Sequence, residues 1–297
     1  MKKFAKILAA AMAVCTFVAC FAGCGKTNTD TSSTDGSSSP LPAASVKMVE
    51  VKLTDEQYAY AVNPADAELL KSVNDLLAEI KENGKFNEIV DKYFAGIGTP
   101  TGYDAGKQDS SKNQLVVATN TPFSPFEYKD GDKFYGVDIE IAALLADKLG
   151  KELVIVDMEF DAILNSVNSG NADIGMAGLT VSPDREKLVK FTEPYYEASQ
   201  VVVCKADDAT FDGCKTAEEV EAKIKAMAED TKVGVQTGTT GMLYVEGDED
   251  WGFDGFKVKC VGYESAASAV MDMLNGKLSF VVVDEAPAAK IVESVND

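Results

Sequence analysis

Residues 137–158 read VDIEIAALLADKLGKELVIVDM, and two different periodicities meet inside them. Residues 137–149 carry apolar side chains at helical spacing and stop at Gly150, a residue suited to ending a helix. From residue 153 to 158 the chain becomes a continuous run rich in Leu, Val and Ile, the pattern of a strand covered on both faces. A helix handed directly to such a strand predicts an α/β fold. The rhythm extends outward in both directions. Residues 115–118 read as a strand, 162–167 as a helix and 201–204 as a strand. Residues 216–228 are helical by spacing, 232–236 extended, 265–274 helical with Gly276 as the stop, 278–283 an apolar strand and 286–293 helical.

The order of these elements is unusual. A β-α unit normally returns a strand to its sheet, yet here Asp297 follows the helix at 286–293 directly. At the other end, residues 46–53 (VKMVEVKL) form a strand-like segment with no local partner. An extended stretch at 57–62 and two helices at 67–81 and 86–93 follow, and then GIGTPTGYDAGKQDSSKN at 96–113, a linker by composition. The front block therefore looks like the tail that the back block lacks.

Composition narrows the function. There are 28 Lys+Arg against 48 Asp+Glu, a formal charge of -20, which excludes nucleic-acid binding because phosphates would be repelled. The chain has no histidine, so Ser-His-Asp and Cys-His catalysis are ruled out together with the commonest metal ligand. No cofactor or metal is implied. The basic start at residues 1–6 and the apolar run at 7–22 predict an export signal over 1–23. Residues 24–45 are Ser, Thr, Asp, Asn and Pro with little to bury, a tether spanning roughly 25 Å as a random coil. Of the six cysteines, Cys204, Cys214 and Cys260 remain in the exported body, either with one disulfide or as three thiols.

Several motifs carry a resemblance to a family. They are NQLVVATNTPFSPFEY (113–128), YGVDIEIAALLADKLGKEL (135–153), FDAILNSVNSGNADIGMAGLTVSPDREKLVKFTEPYY (160–196), VGVQTGTTG (233–241) and NGKLSFVVVDEAPAA (275–289). With KLTDEQYAYAV (52–62) and the helices after it, the chain resembles the family 3 solute-binding proteins of bacterial polar amino-acid ABC importers. The residues Phe21-Ala22-Gly23-Cys24 resemble a lipobox, which implies acylation of Cys24. The family's closing segment stands here before its opening one, so the resemblance implies a circularly permuted, two-lobed periplasmic-binding-protein-like fold of type II.

On that reading 46–56 is a strand of lobe 2, and 57–95 a hinge crossover followed by the closing helices of lobe 1. Residues 96–113 join the family's usual ends, 114–203 form lobe 1 and 204–297 form lobe 2. The crossovers are expected at 57–63 and 199–205. The implied protein is a monomeric, lipid-anchored receptor that traps an amino acid and hands it to a membrane permease and its ATPase.

Recognition of a zwitterion needs a cation with aimed N–H groups for the carboxylate, and acceptors for the ammonium. Arg185 follows Ser182-Pro183, a helix start, and the family's T/S-x-x-R signature assigns it to the α-carboxylate, with Thr239 and Thr240 at another helix start. Asp284, at the end of an apolar strand, is implied for the ammonium. Ala177, Gly178 and Thr180 would add a backbone acceptor and a hydroxyl, and Phe123 and Phe160 would sandwich the ligand side chain. Asn120 stands where members that bind cationic amino acids often carry Asp, which implies weaker selectivity for Lys or Arg. Dehydratases similar to cyclohexadienyl dehydratase use the same architecture, and an enzyme here would draw its general acid from Glu127 or Glu159. A sensory or adhesive module is the third reading.

Overall fold

The computed structural model describes residues 45–297, so the expected export signal, Cys24 and the expected tether up to residue 44 lie outside the described residues. The α/β rhythm resolves into two five-stranded sheets. The sheet of lobe 1 has the order Lys190–Phe191, Ala61–Val62, Ile174–Gly175, Gln114–Thr119, Glu152–Asp157. That of lobe 2 runs Val46–Val49, Gln200–Lys205, Phe280–Asp284, Lys232–Gln236, Lys259–Tyr263.

Both sheets are covered on both faces, and the period of two along each strand decides which face a residue serves. In lobe 2, Val201, Val203, Val281 and Val283 pack with helices Ala266–Leu274 and Glu285–Asn296. Their neighbours Val202, Cys204, Phe280 and Val282 pack on the other face with Phe211, Val220 and Tyr244. Lobe 1 divides in the same way between a cluster around Leu115, Val117, Ile141 and Leu145 and one around Val116, Ala118, Ile163 and Val167. The helix Val137–Leu149 ends at Gly150, whose φ of 63° is left-handed as the sequence suggested.

Several boundaries differ from expectation. Strand Gln200–Lys205 lies wholly within the sheet of lobe 2, paired with Val46–Val49 and Phe280–Asp284, so lobe 2 begins near residue 200 and not at 204. The crossovers are Glu56–Tyr58 and Tyr196–Ala198, which pair antiparallel as a two-stranded ribbon between the lobes. Residues 57–63 are divided, because Ala61–Val62 already belongs to the sheet of lobe 1. A run of buried β-branched residues is the same pattern in a crossover as in a sheet interior, and pairing alone separates them.

The segment at 96–113 also departs from a loose linker. Tyr103–Asp104 pairs with Lys133–Tyr135, which forms a hairpin with Tyr128–Asp130 across Asp130-Gly131-Asp132. Ile155 donates its N–H to the carbonyl of Ala105, and Gln114 holds Asp109 N–H and the carbonyl of Lys107. These bonds fix the segment along the edge of lobe 1. At the opposite edge of the molecule, the Asn296 side chain exchanges two hydrogen bonds with the backbone of Val46. Cys204, Cys214 and Cys260 are free thiols.

Candidate functional site

Several residues of the cleft lie at or just after strand ends. In lobe 1 the parallel strands Gln114–Thr119 and Glu152–Asp157 finish facing lobe 2, followed by Asn120 and Phe160 respectively. Strand Ile174–Gly175 leads into the loop that carries Ala177, Gly178 and Thr180. In lobe 2, Asp284 and Gln236 end parallel neighbours, and Gln200 lies opposite Asp284 in register. Ligand sites of open α/β sheets form at these carboxyl ends.

Eight of the ten expected ligand residues line one tight cavity. They are Phe123, Phe160, Gly178, Thr180, Arg185, Thr239, Thr240 and Asp284. Asn120 and Ala177 lie outside its wall. The amide of Asn120 is engaged at both ends, donating to Met158 O at 2.7 Å and accepting from Gln236 Nε2 at 2.7 Å. Ala177 is buried in the core with Ile163 and Leu179.

Arg185 is only 9% exposed and has no carboxylate partner among the described residues. It donates from Nη1 to Thr180 O at 2.8 Å and from Nη2 to Gly238 O at 3.1 Å, the second bond reaching across to lobe 2. Its guanidinium lies 5.4 Å from the centroid of the Phe160 ring. Burial lowers its pKa, while the charges of Glu56 and Asp284 push in the other direction. Ser182 caps the short helix Pro183–Glu186 by accepting from Arg185 N–H, which fixes the backbone from which the guanidinium reaches inward.

Asp284 faces the cavity from lobe 2 and accepts the hydroxyl proton of Tyr58. Burial first, and the nearby charge of Glu56 second, push its pKa up to about 7. Thr240 has a fully buried hydroxyl with no partner among the described residues, whereas that of Thr239 donates to Gln236 O at 2.8 Å. Gly178 has a φ of 53°, and a Cβ there would stand 2.5 Å from the Phe123 ring, so glycine is required by backbone and space together.

Four residues of the site escaped sequence reasoning. Tyr58 holds Asp284. Glu56, on the same crossover strand, accepts from Thr180 Oγ1 at 2.8 Å and from Gln200 Nε2 at 3.0 Å, and so joins both lobes at the hinge. Gln236 bridges to Asn120. The available signal was a polar residue at the end of an apolar strand, the feature that marked Asp284; Gln236 likewise closes its strand and Gln200 opens one. The two carboxyls considered for acid catalysis do not line the cavity. Glu127 is fully buried behind it, and Glu159 lies in a separate space with Asp161, Thr237, Tyr263 and Glu264 on the far side of Phe160.

A family model for bacterial extracellular solute-binding proteins, family 3, matches residues 115–237. The chain is 31% identical to holo ArgBP from T. maritima, with a TM-score of 0.53, over 62% of this chain and 75% of that one. It belongs to family 3 of the bacterial extracellular solute-binding proteins. It is also 33% identical to the arginine-binding extracellular protein ArtP of Bacillus subtilis, over 48% of this chain and 51% of that protein. The chain thus spans about half the length of that curated relative. The chain is also similar to AncCDT-1, an ancestral amino acid-binding protein described as a precursor of cyclohexadienyl dehydratase, at 32% identity, with a TM-score of 0.52, over 61% of this chain and 74% of that one. The type II two-lobed fold and an extracytoplasmic place of work follow from the family.

Proposed function

We propose that this protein is an extracytoplasmic receptor that binds an amino acid between its lobes and delivers it to an ABC permease and its ATPase, held at the membrane by acylated Cys24. The carrying observation is the buried Arg185, without a carboxylate partner, in the same small cavity as Asp284. A desolvated guanidinium attracts a carboxylate, and a carboxyl raised by burial becomes favourable to ionise once an ammonium arrives. A cation and a carboxyl lining one cavity offer both halves of a zwitterion a partner. Contacts from both lobes make binding and closure one event.

L-Arginine is the first ligand to try. Arginine is named for two similar proteins, ArtP and the arginine-bound ArgBP, and the space beyond Phe160 is lined by Glu159, Asp161 and Glu264. This reading gives those carboxylates the ligand side chain and leaves Asn120 as a bridge between lobes. A thermal-shift screen against the twenty amino acids and cystine tests the proposal, since a ligand that binds only the folded state raises the melting temperature. A selective rise is expected, lost in Arg185→Ala. No rise with any of them, together with turnover of prephenate or arogenate, would replace it with the dehydratase reading.

The same proposal includes circular permutation. Val46–Val49, placed first in the chain, occupies the sheet of lobe 2 beside Gln200–Lys205, and the helices Ala67–Glu82 and Lys85–Phe94 cover lobe 1. A protein rebuilt in the ordinary order, with residues 46–94 moved after 297, is expected to keep its ligand affinity. Failure of the rebuilt chain to fold would refute the permutation.

A further inference from the structure

Glu127 is 0% exposed, and neither carboxylate oxygen has a donor from a neighbouring residue. The neighbouring carboxyl is that of Asp138, also 0% exposed, whose backbone N–H donates to the carbonyl of Phe126, the residue before Glu127, at 3.0 Å. No lysine or arginine among the described residues pairs with either one. Two neighbouring carboxylates in a dry interior cannot both carry charge, so one of them keeps a proton.

The surroundings decide which. Asp138 lies in the first turn of helix Val137–Leu149, where the helix dipole favours an anion. It accepts from Tyr195 Oη at 2.9 Å, Tyr60 Oη at 3.1 Å and Gly178 N at 3.2 Å. Glu127 has no such support. Its position is fixed by the tight turn in which Phe123 N–H donates to Glu127 O at 2.7 Å, and by the close approach of Gly136 to its backbone. The other titratable groups that face it are Tyr58, Tyr60, Tyr195, Asp157 and Asp284, none of them a cation.

We propose that Glu127 is a neutral carboxylic acid that donates its proton to Asp138, and that this shared-proton pair positions the lobe 1 wall of the ligand cavity. The three donors to Asp138 show what is held. Tyr60 and Tyr195 flank the two crossovers and stack with centroids 4.4 Å apart. Gly178 forms the cavity wall against Phe123. One buried anion thus ties both hinge segments to the ligand site, and the proton on Glu127 removes the repulsion that would otherwise expel it. Burial and the charge of Asp138 both raise the pKa of Glu127, in agreement with this assignment.

The test uses the mature protein and the variants Glu127→Gln and Asp138→Asn. Infrared difference spectra of wild type against Glu127→Gln at neutral pH should contain a protonated-carboxyl band that belongs to Glu127. Without ligand, the melting-temperature difference between the two should grow in favour of Glu127→Gln as pH rises from about 5 to about 9. Wild type must hold a proton that its unfolded chain has released, and the amide need not. A merely structural Glu127 would give a constant difference. Absence of the band, or a difference that does not change with pH, would overturn the proposal.

The binding arm rests on the receptor reading and uses L-arginine as the probe. Asp138→Asn should weaken it by at least about tenfold. If arginine binds wild type and Asp138→Asn alike, the positioning role fails. If no amino acid binds wild type, the receptor reading fails and the spectra still decide the pair.

Discussion

Replacing Arg185 with methionine separates what the residue does for the ligand from what it does for the fold. Two of the five guanidinium donors are used on Thr180 O and Gly238 O, and the rest are available in a cavity that also contains Asp284. A ligand carboxylate taking two charge-assisted bonds there gains ~3 to 6 kcal/mol, at about 1.5 to 3 each. A micromolar ligand requires about 8 kcal/mol in total, and each decade is about 1.4. Arg185→Met should therefore weaken binding by roughly 10² to 10⁴-fold, measured by titration calorimetry. The ligand-free fold should tolerate the change. The variant loses two bonds worth ~1 kcal/mol each but no longer buries a cation without a carboxylate, and apolar replacements of buried charges are often neutral or stabilising. Its ligand-free melting temperature should be unchanged or higher. Affinity retained within about threefold would refute the carboxylate role, and a ligand-free loss above ~10 °C would make Arg185 a structural residue.

Three further outcomes follow from the geometry. Asp284 has a folded-state pKa raised to about 7, so the folded protein keeps a proton that the unfolded chain loses, and ligand-free stability falls as pH rises from about 4 to about 7. Asp284→Asn should flatten that fall, which amounts to on the order of 4 kcal/mol at most, in chemical denaturation across the same range. Lys92 forms a buried 2.6 Å ion pair with Glu140, which also accepts from Tyr93 Oη and Thr101 N, so Lys92→Met strands a buried carboxylate. A loss of about 3 to 5 kcal/mol is expected, read from urea unfolding. Gly178→Ala forces a left-handed backbone onto a residue with a Cβ and pushes it against Phe123, which should cost ~1 to 2 kcal/mol of stability and most of the ligand affinity, measured by melting and calorimetry.

Much of the cavity wall was legible because its residues punctuate regular elements. Ser182-Pro183 announces the helix that carries Arg185, and Asp284 interrupts an apolar run. The hinge residues were harder. Glu56 sits in a short stretch, DEQYAYAV, whose polar side chains look solvated until the two crossovers pair and bury it to 3% exposure. Asn120 was judged by its side-chain type alone, yet its partner Gln236 is 116 residues away and comes from the other lobe. Gly, Ser and Asp mark loose linkers and ordered edges alike, so composition does not show that 96–113 pairs along lobe 1.

By itself, the sequence determined the alternation of strand and helix, the residues that terminate each element and the identity of the groups offered at those ends. These are local matters, set by side-chain periodicity, capping and the conformational freedom of glycine. Only the tertiary structure decided where the crossovers lie and which polar ends meet. It left Arg185 without a carboxylate partner, and both carboxylate oxygens of buried Glu127 without a hydrogen-bond donor, among the described residues. The charge state of a group depends on the solvent it loses and the neighbours it gains. Both are fixed only when strands distant in sequence come to lie side by side.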